Sequence, residues 1–341
     1  MSGAADDKLT VAVTGPTGDV GRAAVRALEA RPEVGRIVGM ARRPFDPAEH
    51  GWQRTEYRRG DILEPDSIAE LVEDADVVVH LAFIIFGDHD EAHRVNLEGS
   101  RNVFEATVAA GAKRLVYTSS VAAYGFDDGD RGWLTEEMPA TGSESFYYSA
   151  HKGELERLLA DTLAGSSTGA YVLRPSIVAG ADAPTLITMM TTGNRLGAAL
   201  APLRRGLEKL PVVRPLLPDT GVPFQLVHHD DVAAAIAGAV AGDGEPGAYN
   251  LAAPDELTTA DLARELGWAT VPVPKLAVDG VAAAIERAPL TPAILEWISA
   301  LRVPVLMDSS KALRELGLGE WRSGAETLVE TIAAARDRGL L

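Results

Sequence analysis

Cysteine is absent from the 341 residues. That excludes disulfides, thiolate nucleophiles and cysteine-ligated zinc, and it fits a reducing compartment. Long apolar runs are missing too. No stretch reaches the roughly 18 to 20 apolar residues of a membrane helix. The closest approach, residues 196–217, is broken by Arg204, Arg205, Glu208, Lys209 and Arg214. Positive charge is in deficit: 32 Lys and Arg stand against 49 Asp and Glu, a net charge of −17. That balance argues against wrapping around nucleic acid or lying on an anionic membrane. The acidic residues are spread along the chain rather than gathered in a tail, as on a solvated surface. The opening MSGAADDK is short, polar and acidic, unlike a signal or transit peptide. A cytoplasmic protein is expected.

What is present is ordinary for a globular protein, with 46% hydrophobic and 24% charged residues. The length suffices for one large domain or two lobes. Through the first half, short apolar runs alternate with amphipathic segments. KLTVAVTG, GRIVGMARRP, TEYRRGD, ADVVVHLAF, AKRLVYTSSV and AYVLRPSIV read as strands, and the stretches between them have helical spacing. Strands apolar on both faces and separated by helices indicate a parallel sheet covered on both sides. The expected fold class is α/β, a doubly wound Rossmann-type sheet with a smaller C-terminal substrate lobe. Residues 1–180, with 225–252 returning to them, form the first unit; 181–224 and 253–341 form the lobe.

Thr14-Gly15-Pro16-Thr17-Gly18-Asp19-Val20-Gly21 follows the first strand directly and opens a helix. Gly15 permits the tight turn, Gly18 lets backbone approach a pyrophosphate, and Gly21 lets the helix sit close on the strand. The helix N-terminus then offers free N–H groups to the phosphates. At the end of the second strand, a carboxylate would bind the ribose 2′-OH of NAD. Here Ala41 stands at that position and Arg42 and Arg43 follow. Arginine suits a phosphate by charge and geometry, so NADP is the expected cofactor and NAD the alternative. Asp61-Ile62, after the third strand, is placed to reach the adenine edge.

Ser119-Ser120 ends the fifth strand, on the side of the sheet where ligands bind in open parallel folds. Further on, FYYSAHK offers two pairs at helical spacing, Tyr148 with Lys152 and Tyr147 with His151. A tyrosine serves as acid or base only if its pKa comes nearer neutral, and a lysine one turn along favours the phenolate. A histidine does so only while protonated. Tyr148/Lys152 is therefore the stronger pair.

These elements together resemble the extended short-chain dehydrogenase/reductases, also called NAD-dependent epimerase/dehydratases. The match rests on TGPTGDVG (14–21), GD (60–61), VVVHLAF (77–83), VNLEGSRNVFEA (95–106), LVYTSSVAAYG (115–125), YYSAHK (147–152), LRPSIVAG (173–180), LVHHDDVAAAI (226–236) and YNLA (249–252), in the family's order. VLMDSSKALRELGL (305–318) matches more loosely. The resemblance implies that Ser120, rather than Ser119, and Tyr148 and Lys152 are catalytic. The tyrosine would exchange a proton with the substrate oxygen, the serine would hydrogen-bond that oxygen, and the lysine would bind nicotinamide ribose. Cofactor contacts are implied at Gly15, Thr17, Gly18, Asp19, Val20, Gly21, Ala41, Arg42, Arg43, Asp61, Ile62, Leu81, Ala82, Lys152 and Pro175. Asn96 is expected to be structural, Tyr147 a packing or wall residue, and His151 a helix-surface residue. A homodimer through the helices after strands four and five is also implied.

The implied activity is NADP-preferring hydride transfer on a carbonyl/alcohol pair. The alternatives are a nucleotide-sugar 4-epimerase with bound NAD and a non-catalytic NADP sensor or scaffold. Val121-Ala122 stands where sugar dehydratases of the family carry Asp-Glu, which argues against dehydration. Arg195, Arg204, Arg205, Lys209 and Arg214 suit either a diphosphate clamp or a solvated face, and the apolar run PLLPDTGVPF suits a hydrophobic substrate. His228-His229-Asp230-Asp231 is not read as a metal site, because neighbours on extended chain point to opposite faces; Asp231 is expected to cap or open the next helix.

Overall fold

The computed structural model describes residues 8–85, 88–126, 131–183, 187, 216–274 and 303–341. The arginine and lysine group from Arg195 to Arg214 lies outside the described residues. Seven strands build the central sheet: β1 (Leu9–Thr14), β2 (Val34–Ala41), β3 (Thr55–Arg59), β4 (Val77–His80), β5 (Arg114–Thr118), β7 (Gly169–Pro175) and β11 (Gly247–Leu251). Their order is β11-β7-β5-β4-β1-β2-β3, and every neighbouring pair is parallel. The order reverses between β1 and β4, which opens a crevice at the carboxyl ends of those strands.

Alternation along the strands feeds two cores. On β1, Val11 and Val13 pack with Val25 and Leu28 of α1 (Asp19–Ala30) and with Val232 and Ile236 of α6 (His229–Ala241). Ala12 faces the other side, with Ile68 of α2 (Pro65–Val72), Phe104 of α4 (Ser100–Ala109) and Leu155 of α5 (Tyr147–Leu163). Both faces are buried here, so the inner strands β1 and β4 carry near-continuous apolar runs.

The run AYVLRPSIV, expected as one strand, is two. It breaks at Ser176, whose N–H bonds Leu251, and β8 (Ile177–Ala179) leaves the sheet to pair with β10 (Leu226–His228). Strands β9 (Leu216–Asp219) and β12 (Ala269–Pro272) pair with each other, as do β6 (Trp133–Leu134) and β13 (Leu306–Met307). Helices α7 (Thr259–Leu266) and α9 (Gly324–Asp337) pack with β8, β10 and one another, and α8 (Ser310–Glu315) lies on β11. A five-residue α3 (His89–His93) runs through a π-helical turn (Arg94–Gly99) into α4. Among the described residues, no helix is long and apolar enough to cross a membrane.

One buried side chain ties β4 to the glycine turn. His80 Nδ1 pairs with Thr14 Oγ1 at 2.7 Å and Nε2 with Ser100 Oγ at 2.9 Å. Burial first, and then the charge of Lys152, pushes its pKa down to about 3. The unfolded chain takes up this proton near pH 6.5 and the folded one does not. Stability from His80 is therefore complete above pH 6.5 and declines as pH falls toward 3. Between pH 6.5 and 5 the expected loss is about 2 kcal/mol. Denaturant unfolding of His80→Asn at several pH values checks it: the variant should lose that slope.

Candidate active site

The glycine turn sits at the crevice. Gly15 has φ 72°, and a Cβ there would stand 2.9 Å from the Ala82 amide nitrogen, so the loop after β4 lies directly on the turn. Thr14 Oγ1 accepts the Leu81 and Ala82 N–H groups at 3.3 Å each. A Cβ on Gly21 would meet the Gly15 oxygen at 2.1 Å, so α1 is seated on backbone. Gly18, by contrast, has among the described residues only the Gly15 oxygen near its missing Cβ, at 3.6 Å. Among the described residues it caps α1 without a side-chain cap bond, so the turn presents backbone rather than a side chain at the start of that helix. Asp19 and Val20 open the helix, and the Thr17 carbonyl accepts from Arg22 at 2.9 Å.

Around the rim, Ala41 is the last residue of β2, with Arg42 and Arg43 exposed beyond it. Arg42 approaches Glu91 at 3.9 Å with both side chains more than half exposed, a pairing worth little. Asp61 accepts from the Leu63 N–H and is half-buried, whereas Ile62 points into the core beside Gly99. Pro175 is buried at the end of β7. Next to it the Ser176 hydroxyl, and at the end of β5 the Thr118 hydroxyl, are buried without a hydrogen-bond partner among the described residues. A helix start faced with backbone at one end of the crevice and these two hydroxyls at the other fit a dinucleotide lying across the strand ends.

Ser120 caps a 3₁₀ turn (Val121–Tyr124), with Oγ accepting from the Ala122 N–H at 3.1 Å and hydrogen-bonded to Tyr148. The Tyr148 ring is buried edge-on against Phe83, 5.6 Å between centroids. Lys152, also buried, donates to the Thr118 carbonyl at 2.9 Å and lies 3.8 Å from the centre of the Phe83 ring. Serine, tyrosine and lysine therefore converge, as expected. The electrostatics differ from the expectation. Lys152 turns its Nζ toward β5, 6.0 Å from the Tyr148 ring centre. Burial pushes Tyr148 up to about 12, against the pull of the Ser120 bond. Burial pushes Lys152 down to about 7, against the pull of Glu156.

Ser119 is engaged elsewhere, donating to Glu156 Oε1 at 2.6 Å. Glu156 in turn holds Arg174, with Nε and Nη2 at 3.0 and 2.6 Å. Neither residue was singled out from sequence, although Glu156 lies one turn past Lys152 and Arg174 lies within LRPS. Asn96 binds both the N–H and the C=O of Ile84, at 2.8 and 2.9 Å, a backbone clamp. Tyr124 and Phe126 are buried. Tyr147 bonds the Ile85 carbonyl. His151 does not lie on the helix surface. It is 7% exposed, its Nδ1 has no partner among the described residues, and it packs against Tyr147 and, at 5.4 Å, His93. Segment 89–93 covers that face of α5, and burial pushes His151 down to about 4.

The adjacent histidines also depart from expectation. His228 caps α6 and His229 is its first residue, so the rings meet 4.3 Å apart instead of pointing to opposite faces. Glu330 joins them from α9, 3.1 Å from His228 Nε2. The nitrogens are engaged: His228 Nδ1 accepts from the Asp230 N–H, His229 Nε2 from the Asp182 N–H, and the two Nδ1 atoms share a bond at 3.1 Å. A metal-bound imidazole donates its other N–H outward, whereas here both second nitrogens accept. The trio is a hydrogen-bonded latch joining α9 to α6. Asp231 lies in the first turn of α6, paired with Arg322.

Comparison with known proteins places this geometry in context. Residues 11–252 match the NAD dependent epimerase/dehydratase family. The 2-alkyl-3-oxoalkanoate reductase of Shewanella oneidensis is 30% identical over 193 residues, 54% of this chain and 49% of that protein. The chain thus spans about half the length of that curated relative. Among solved structures, gox2253 superimposes with a TM-score of 0.73 at 25% identity, covering 98% of this chain and 99% of the other. The dTDP-glucose 4,6-dehydratase DesIV from Streptomyces venezuelae, with NAD bound, has a TM-score of 0.71 at 22% identity, covering 97% and 98%.

Proposed function

The chain belongs to the NAD dependent epimerase/dehydratase family, and from that premise we propose that it is an NADP-preferring oxidoreductase acting on a carbonyl/alcohol pair. The observation that carries this is the convergence of Ser120, Tyr148 and Lys152 beside the glycine turn. The backbone from Gly15 to Gly21 would hold the pyrophosphate, Arg42 and Arg43 the 2′-phosphate, and Lys152 with the Pro175-Ser176 loop the nicotinamide end. The bound nicotinamide supplies the hydride for reduction or accepts it in oxidation. In the reducing direction Tyr148 gives its hydroxyl proton to the substrate oxygen, and Ser120 donates a hydrogen bond to the same atom. A charged Lys152 stabilises the phenolate left behind. Because Tyr148 holds its proton until far above neutrality, it enters reduction as the acid.

The wall around Tyr148 is apolar: Phe83, Ile85, Phe126, Phe146, Tyr147 and Val305 cluster there. That supports a hydrophobic ketone over a diphosphate sugar, as does a relative named for reducing an oxoalkanoate. We read 181–224 and 253–341 as the substrate lobe, and α4 with α5 as the homodimer face. An epimerase would recycle its cofactor, so net NADPH consumption separates the two readings.

The test combines cofactor titration with a panel of apolar ketones. NADPH should bind more tightly than NADH by fluorescence, and NADPH should be consumed with at least one ketone. Replacing Arg42 and Arg43 together by Ala should weaken NADPH about tenfold or more, the value of one lost charge-assisted contact, and leave NADH unchanged. Tighter NADH binding by the wild type would overturn the NADP assignment.

A further inference from the structure

Behind the three proposed catalytic side chains lies a buried ion pair that none of them uses directly. The Glu156 and Arg174 side chains are 10% and 7% exposed. Glu156 sits on α5 one turn past Lys152, so both reach the end of β5 from the same face. Lys152 grips the Thr118 carbonyl and Glu156 grips the Ser119 hydroxyl, on consecutive residues. On the other side, Arg174 Nη1 donates to the Tyr124 hydroxyl at 2.7 Å, and Tyr124 donates to Asn250 at 2.8 Å. Ser119 and Tyr124 flank the turn that begins at Ser120. The pair thus clamps that turn at both ends.

We propose that Glu156 and Arg174 are the positioning residues of this site, fixing the Ser120 turn and keeping Lys152 charged inside the protein. The inference rests on the assignment of Tyr148 and Lys152 made above. A buried ammonium is costly unless an opposite charge stands near. Among the described residues, the titratable and charged groups around Lys152 are His80 on β4, Tyr117 on β5, Tyr148, His151 and Glu156 on its own helix, and Arg174 behind Glu156. Of these, Glu156 is the anion: Tyr117 and Tyr148 are held neutral by burial, and His80 and His151 are depressed. Glu156 accordingly pulls the Lys152 pKa upward. Arg174 shares that carboxylate, which should limit how far the pull extends.

That arrangement predicts shifts of opposite sign. Glu156→Gln keeps an acceptor for Ser119 but leaves Arg174 facing Lys152 unneutralised. The alkaline limb of kcat/KM for reduction should move down by about one pH unit or more. Arg174→Met frees the carboxylate, and the limb should move up. Arg174→Lys should rescue the profile, and the double variant should fall between the single ones. Lys152 ionisation can also be read without turnover, from the pH dependence of its acetylation in cofactor-free protein, and should follow the same order. Tyr148→Phe runs as the control. Should Tyr148→Phe retain activity, the catalytic assignment itself fails. With Tyr148→Phe inactive, limbs that stay put, or move the same way in both single variants, overturn the inference. If either single variant does not fold, the other and the double variant still give the sign.

Discussion

Tyr148→Phe is expected to lower turnover by roughly a hundredfold to ten-thousandfold, the range for loss of a positioned acid, while NADPH binds as before. The substitution removes one oxygen and leaves the ring edge-on against Phe83. The partner left behind is Ser120, whose Oγ still accepts from the Ala122 N–H. A buried hydroxyl is lost along with its desolvation cost, so the thermal midpoint should hold or rise slightly. Activity and binding are then read separately, by NADPH consumption and fluorescence titration. Normal turnover would refute the role of Tyr148. The wild-type pH profile belongs to the same test. Lys152 loses its proton as pH rises through about 7, so reduction should decline above neutrality, long before Tyr148 itself ionises.

The second large effect is at the glycine turn, where two neighbouring glycines should behave differently. In Gly21→Ala the added carbon would stand 2.1 Å from the Gly15 oxygen and 2.7 Å from the Pro16 carbonyl carbon, both backbone atoms. Neither can yield cheaply, because Gly15 is itself pressed on Ala82. Helix α1 must move off the strand. A destabilisation of about 2–3 kcal/mol is expected from overpacking of this kind, together with loss of dinucleotide binding. Gly18→Ala finds space within the protein and has an ordinary φ of −73°. It should fold normally and, on the pyrophosphate assignment proposed above, lose only cofactor affinity. Denaturant unfolding and NADPH titration of both variants decide the matter. A Gly18→Ala chain that binds NADPH like the wild type would sink the phosphate assignment at that residue.

Local chemistry explains which features were legible in the sequence. The glycine spacing and the apolar strands constrain backbone within a few residues, and the sheet order follows from such βα units. The Tyr148/Lys152 pair needs only helical periodicity. Ser119 and Ser120 are harder, because neighbouring serines look alike until their partners are known. Glu156 occupies Ser119, and Tyr148 meets Ser120. His151 shows the converse error. Helical position put it on an outer face of α5, but segment 89–93 folds over that face.

Residue type at short spacing was enough to read the doubly wound fold, the glycine turn and the Tyr148/Lys152 pair, and the family followed from the order of its motifs along the chain. The side-chain partners and the directions of the pKa shifts came from packing between distant segments. It turned Lys152 toward β5, joined Glu156 to Arg174 across 18 residues of chain, and brought Glu330 of α9 to His228 and His229. Shifts in pKa and ion pairs depend on burial and on distances between segments far apart in sequence, and a linear spacing rule carries neither.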